Sequence, residues 1–213
     1  MVDVAASLLS AAVGAALGLS LAAPPGPLNA LIAGEAATRG WRAGVAAGLG
    51  AMTADACFFL ATAAGLQPLL ARAERLRAGL FVVGGLLLWL LAVSAYRDTS
   101  TGGDGKAGVE RRGFGGAFAL AITNPYQIGW WLTVGVGLLD PGAVQVFGHG
   151  LPAGGAVATV AGFFGGIALW VTVFPGAVRL AADRTTLLRD AVGYGSAAVL
   201  AAFGSLYLSA GLL

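Results

Sequence analysis

Charge is what this chain has least of. Only 10% of its 213 residues are charged, against about a quarter in soluble domains, while 58% are hydrophobic and the mean hydropathy is +0.84. That balance excludes an ordinary water-exposed domain and predicts a chain lying largely in lipid. The net charge of +2 is small and scattered, so no nucleic-acid partner is expected. Cysteine occurs once, at Cys57, which rules out an internal disulfide and a two-thiol relay. Histidine also occurs once, at His149, in a polar stretch with no second ligand close by; neither a resident metal nor a cofactor is expected. There is no HExxH motif and no second aspartate at mid-membrane depth, so the chain does not read as an intramembrane enzyme. No basic region precedes the first apolar stretch, because the first basic residue is Arg39. The start therefore reads as a membrane segment rather than a cleaved signal.

Glycine is plentiful, at 35 residues, as expected where helices pack closely in lipid. Gly162-Phe-Phe-Gly165-Gly166 and Gly44-Val-Ala-Ala-Gly48 carry small-residue spacings and read as packing seams. Proline is sparse but concentrated. Three of the eight fall in Ala22-Ala23-Pro24-Pro25-Gly26-Pro27-Leu28-Asn29, inside a long apolar stretch. Proline lacks the N–H and clashes with the carbonyl one turn back, so a helix must break here. In a bilayer, freed backbone groups persist only where they face protein or a water-filled cavity. The stretch predicts a broken transmembrane helix whose break lines a solute site.

Apolar segments of about 20 residues, enough to cross a bilayer, can be placed six times. They run from Gly14 to Thr38 (with Val2 to Val13 as an apolar lead-in), Ala43 to Leu66, Gly79 to Tyr96, Phe114 to Leu139, Leu151 to Phe174 and Ala191 to Leu213. The expected fold is an all-α integral membrane bundle. A three-helix half at 1–96 is followed by a linker at 97–113 and a second three-helix half at 114–213. Nine of the twelve Lys and Arg residues fall between segments one and two, three and four, or five and six. The positive-inside rule makes those stretches cytoplasmic and both termini external, in a multi-pass protein of the cell membrane.

Segment four carries its own interruption, Asn124-Pro125. Each break opens a group of three helices, and an odd number reverses the second group, so the repeat is expected to be inverted. Paired broken helices in inverted halves point to a transporter site at the midplane. Counting supports one depth. Pro27 lies about 12 residues from Arg39 and Asn124 about 12 from Arg112, near 18 Å of helix each. Asp55 lies about 13 residues from Arg42, near 20 Å.

Gly26-Pro27 and Asn124-Pro125 each suit the N-cap and first position of a restarted helix. Such restarts leave N–H groups and a positive dipole end in the membrane interior, which favour a carboxylate. Asp55 supplies the opposite sign, either for a substrate ammonium or for a coupling proton or Na⁺. A purely structural reading gives Asp55 a hydrogen bond to a neighbouring helix instead. Trp89, Trp130, Trp131 and Trp170 read as packing or interfacial residues, and Glu35 as the i,i+4 partner of Arg39. Glycine-rich faces leave a homodimer open. The alternative to a solute exporter is a divalent-metal exporter of related fold, for which Asp55 is the one clear ligand.

The run from Pro24 to Asn29, then Arg39-Gly40, Arg42-Ala43-Gly44 and Ala54-Asp55, resembles the amino-terminal signature of the LysE-type (lysine exporter, RhtB-like) translocators. Asn124-Pro125 is similar to that family's second-half motif. The resemblance implies six helices in inverted halves and export of amino acids or similar small zwitterions driven by an ion gradient. It carries the family's core positions to Pro25, Gly26, Pro27, Asn29, Asp55, Asn124 and Pro125; Tyr126 joins these as a candidate substrate contact. The chain departs from the family pattern at Tyr126-Gln127, where many members have a basic residue, and at Glu35.

Overall fold

The computed structural model describes residues 4–65, 74–101, 109–138, 145–146, 149–150 and 156–212. Among them are eight α-helices: α1 Val4–Ala22, α2 Pro27–Arg39, α3 Trp41–Ala63, α4 Glu74–Ser100, α5 Val109–Thr123, α6 Pro125–Thr133, α7 Ala156–Ala182 and α8 Thr186–Leu212. A 3-10 turn, Gly135–Leu138, follows α6, and two-residue strands at Gln145–Val146 and His149–Gly150 pair antiparallel. Five helices are long and apolar enough to cross a membrane: α1, α3, Ala78–Ser100 of α4, α7 and α8. The chain is an all-α membrane protein.

Several helix limits differ from the sequence expectation, each for a local reason. Val4–Val13 is not a lead-in but the first half of α1. α4 does not stop at Tyr96. Arg97–Ser100 stays helical, with Thr99 and Ser100 turning their hydroxyls onto the carbonyls of Ala95 and Arg97 at 2.8 Å. The stretch 97–113 is therefore helical at both ends. α7 passes through Pro175, where sequence reading halts at Phe174, and continues to Ala182. Proline removes one rung of the helix ladder; Trp41 Nε1 donates to the Thr172 carbonyl at 2.9 Å within the interrupted turn. The outer ends of the expected segments two, four, five and six (Leu66, Leu139, Leu151 and Leu213) lie outside the described residues.

Lipid tails are as apolar as leucine, so helix association in a membrane rests on close packing rather than on the hydrophobic effect. The glycines supply it. On α1, Gly14 and Gly18 lie against the backbone of Thr159 and Phe163, while Gly162 and Gly166 of α7 lie against Ala11 and Ala15. A Cβ at any of the four would collide with a main-chain carbonyl. Residue numbers rise together along this seam, so α1 and α7 run parallel. α3 and α5 are also parallel, with Ala43 beside Gly113 and Ala51 and Ala54 packed with Ala121. α4 and α8 are antiparallel: Gly85 meets Gly204, Gly211 meets Ala78, and Gly193 meets Thr99.

α2 runs through the middle of the bundle. Leu31, Ile32, Ala36 and Ala37 are buried, Gly34 abuts Ser196 of α8, and Ala36 faces Gly44 of α3. Its last residue, Arg39, bridges to Glu35 one turn back and to Asp98 of α4. Every arginine whose side chain is described (Arg39, Arg42, Arg97, Arg179, Arg184 and Arg189) lies at this same end of the bundle.

Candidate functional site

The first break is a gap of four residues between α1 and α2. Ala23 closes the last turn of α1 by donating to Leu19 at 2.9 Å. Pro24 and Pro25 have no N–H to offer, and α2 restarts with Gly26 as N-cap and Pro27 at the first position. Asn29 spans the gap. Its Nδ2 donates to the Ala22 carbonyl at 2.7 Å and the Pro24 carbonyl at 2.8 Å, and its Oδ1 accepts from Trp170 Nε1 at 3.0 Å. Carbonyls that α1 leaves without a partner at its end are thus satisfied, and the break is tied to α7.

The second break is a single residue. Asn124 leaves the helical conformation between α5 and α6, and its Oδ1 accepts from the Tyr126 N–H at 3.0 Å, a side-chain cap with Pro125 at the first position. The same oxygen accepts from Tyr207 OH of α8 at 2.9 Å. Tyr126 OH donates to the Ser20 carbonyl of α1 at 3.2 Å. The start of α6 is therefore held by both α1 and α8.

Asp55 lies in α3, buried at 3% exposure. Its Oδ1 accepts from Gln127 Nε2 at 2.7 Å and from Trp131 Nε1 at 3.0 Å. These donors sit one turn apart on α6, on the same face. Sequence reading missed both: Gln127 was noted only as a departure from a family pattern and Trp131 only as packing. A glutamine and a tryptophan at i,i+4 directly after a capped restart was the available signal, but nothing in it names the acceptor 72 residues away in the chain.

These elements enclose a cavity of about 160 Å³, close to the roughly 150 Å³ of an engineered cavity that holds benzene. Its wall takes Pro24 to Asn29 from the first break, Asp55 from α3, Asn124, Tyr126 and Gln127 from the second break, and Ile167, Trp170, Val171, Phe203 and Tyr207 from α7 and α8. Of the expected site residues, Pro25, Gly26, Pro27, Asn29, Asp55, Asn124 and Tyr126 reach the wall, and Pro125 does not. Among the described residues Asp55 is the one acidic residue on it and no basic residue lines it. Among the described residues no three His, Cys, Asp or Glu side chains converge as a metal site would require.

The family model described as LysE type translocator matches residues 19–149, more than half of the chain and both breaks. The chain belongs to the LysE-type translocator family. Its members are transporters rather than enzymes. A curated relative, "Putative amino acid efflux protein YcgF" of Bacillus subtilis (strain 168), is 33% identical over 124 residues. That alignment covers 55% of this chain and 58% of the relative, under two thirds of its length. No solved structure matches the chain. The matched LysE region holds α2, α3 and the α5–α6 break, and so contributes Asn29, Asp55, Asn124 and Gln127 to the cavity wall; α7 and α8, with Trp170 and Tyr207, lie beyond it.

Proposed function

We propose that this LysE-type translocator is a secondary exporter of amino acids or similar small zwitterions in the cell membrane, driven by a proton or Na⁺ gradient. One observation carries the reading: a buried carboxylate faces the restarts of two broken helices across a single small cavity. The α2 restart offers backbone N–H groups that have no intrahelical partner, suited to a substrate carboxylate. Asp55 suits the ammonium, or the coupling cation that exchanges with it. The name of the Bacillus subtilis relative, an amino acid efflux protein, supports the same class.

The architecture we propose is six crossings in two inverted halves. α1 and α2 together make the first crossing: Gly18 lies at the level of Phe163 on α7, and Ala37 accepts from Arg179 at the far end of the same helix. α5 and α6 make the fourth. The parallel pairs α1–α7 and α3–α5 exchange under a two-fold axis in the membrane plane, and the antiparallel pair α4–α8 maps onto itself, as inverted repeats require.

The test is efflux from proteoliposomes holding a mixture of labelled amino acids, with and without a pH or Na⁺ gradient. Efflux that collapses with the gradient is expected, with a loss of at least about 100-fold in Asp55→Asn. Asparagine keeps an oxygen for Gln127 and Trp131 but removes the charge. Full coupled efflux by Asp55→Asn sinks the role of Asp55; movement of a divalent cation with no amino-acid flux sinks the exporter reading.

A further inference from the structure

The cavity wall can be read donor by donor for what it leaves over. Asn29 spends both ends of its amide on Ala22, Pro24 and Trp170. Tyr126 OH is spent on Ser20 and Tyr207 OH on Asn124 Oδ1. One N–H of Gln127 Nε2 is spent on Asp55 Oδ1. Because Asn124 Oδ1 must accept the Tyr126 N–H, its amide orientation is fixed by the network. Among the described residues three side-chain atoms on the wall take no part in these hydrogen bonds. They are Asp55 Oδ2, Gln127 Oε1 and Asn124 Nδ2, on residues each 3% exposed. Two are acceptors, one of them on a carboxylate and both on the linked Asp55–Gln127 pair; the third is a donor on the N-cap of the same restart, one turn before Gln127.

This remainder suits one ammonium and one carboxylate. The rest of the wall is apolar: Leu21, Leu28, Ile32, Ile167, Val171 and Phe203. Resting on the exporter reading above, we infer that the substrates are neutral α-amino acids with apolar aliphatic side chains up to about the size of leucine. Their ammonium lies on Asp55 Oδ2 and Gln127 Oε1, and their carboxylate on Asn124 Nδ2 and the first N–H groups of α2. A second ammonium, as in lysine, finds no second acid. A second carboxylate, as in glutamate, finds no cation, and burying an unpaired charge in such a wall is strongly unfavourable. The Tyr126-Gln127 departure from the family pattern fits this inventory, since Gln127 serves the ammonium end and adds no positive charge to the wall.

The test uses the full chain in proteoliposomes loaded with unlabelled L-leucine and given labelled L-leucine outside. Labelled leucine is expected to accumulate by exchange. L-valine and L-isoleucine are expected to compete at concentrations similar to leucine. L-lysine and L-glutamate should need at least about tenfold more, as should leucinol, which lacks the carboxylate, and 4-methylpentanoate, which lacks the ammonium. Lysine or glutamate competing as well as valine overturns the inference. So does exchange of labelled lysine or glutamate in parallel vesicles that ignore leucine, which leaves the exporter reading standing. Exchange of no amino acid at all removes the exporter reading and this one with it.

Discussion

Gly26 and Asn29 sit three positions apart in the same break and do different things. A Cβ at Gly26 meets nothing within 4 Å, and the backbone there is extended, so any residue fits. A Gly26→Val side chain would project beside the cavity without a clash. Transport should fall at least about tenfold while stability changes by less than about 1 kcal/mol. Asn29→Ala should do the reverse first. It strands two carbonyls and the Trp170 N–H, at about 1–3 kcal/mol for each buried group left unpaired, and should lower the melting midpoint clearly. Fluorescence-detected melting in detergent, run beside efflux, separates the two; an unchanged midpoint for Asn29→Ala means the amide is not holding the break. At this scale the sequence was legible where covalent chemistry decides. Three prolines in four residues force a break, where the lone Pro175 does not, and asparagine before proline caps the restart. The Asp55–Gln127–Trp131 contact was not legible, because it depends on how α3 and α6 meet and not on anything local to either.

Among the elements, α2 is tied to α4 at its arginine end. The Arg39 guanidinium donates to both Glu35 oxygens, at 2.8 and 3.0 Å, and to Asp98 of α4. Its side chain is 7% exposed. One planar fork joins two carboxylates on two helices, which a point charge cannot do as well. Arg39→Lys should therefore destabilise the fold about as much as Asp98→Ala, each by roughly 1–3 kcal/mol, and lower the midpoint to match, since lysine cannot serve both carboxylates and alanine leaves the guanidinium short of one. An unaltered midpoint in Arg39→Lys would mean that charge alone holds α2 in place. The Glu35–Arg39 pair was visible from its spacing; Asp98 was not, because sequence reading ended that helix at Tyr96. Helix limits were the least legible feature of the fold. Apolar runs report where lipid is, whereas α4 and α7 continue past the apolar run on hydroxyl back-bonds and through Pro175.

For the whole molecule, the open question is which end faces the cytoplasm. The described arginines collect at the end where α2, α4 and α7 finish and where α3 and α8 begin. The positive-inside rule puts that end in the cytoplasm. The prediction can be read residue by residue, because Cys57 is the one native thiol. In a Cys57→Ser background, Thr101→Cys after α4 and Thr185→Cys between α7 and α8 place a thiol at exposed positions of the arginine end. Ala64→Cys, just past the end of α3, places one at the opposite end. A membrane-impermeant maleimide should label Ala64→Cys in intact cells, and the other two only after permeabilisation. Because α4 and α8 are antiparallel partners, the labels at 101 and 185 must share a side whatever that side is. Labelling of both in intact cells would invert the orientation but keep the fold. Labelling of one without the other would break the α4–α8 pairing on which the proposed two-fold relation of the halves depends, and with it the proposed inverted repeat.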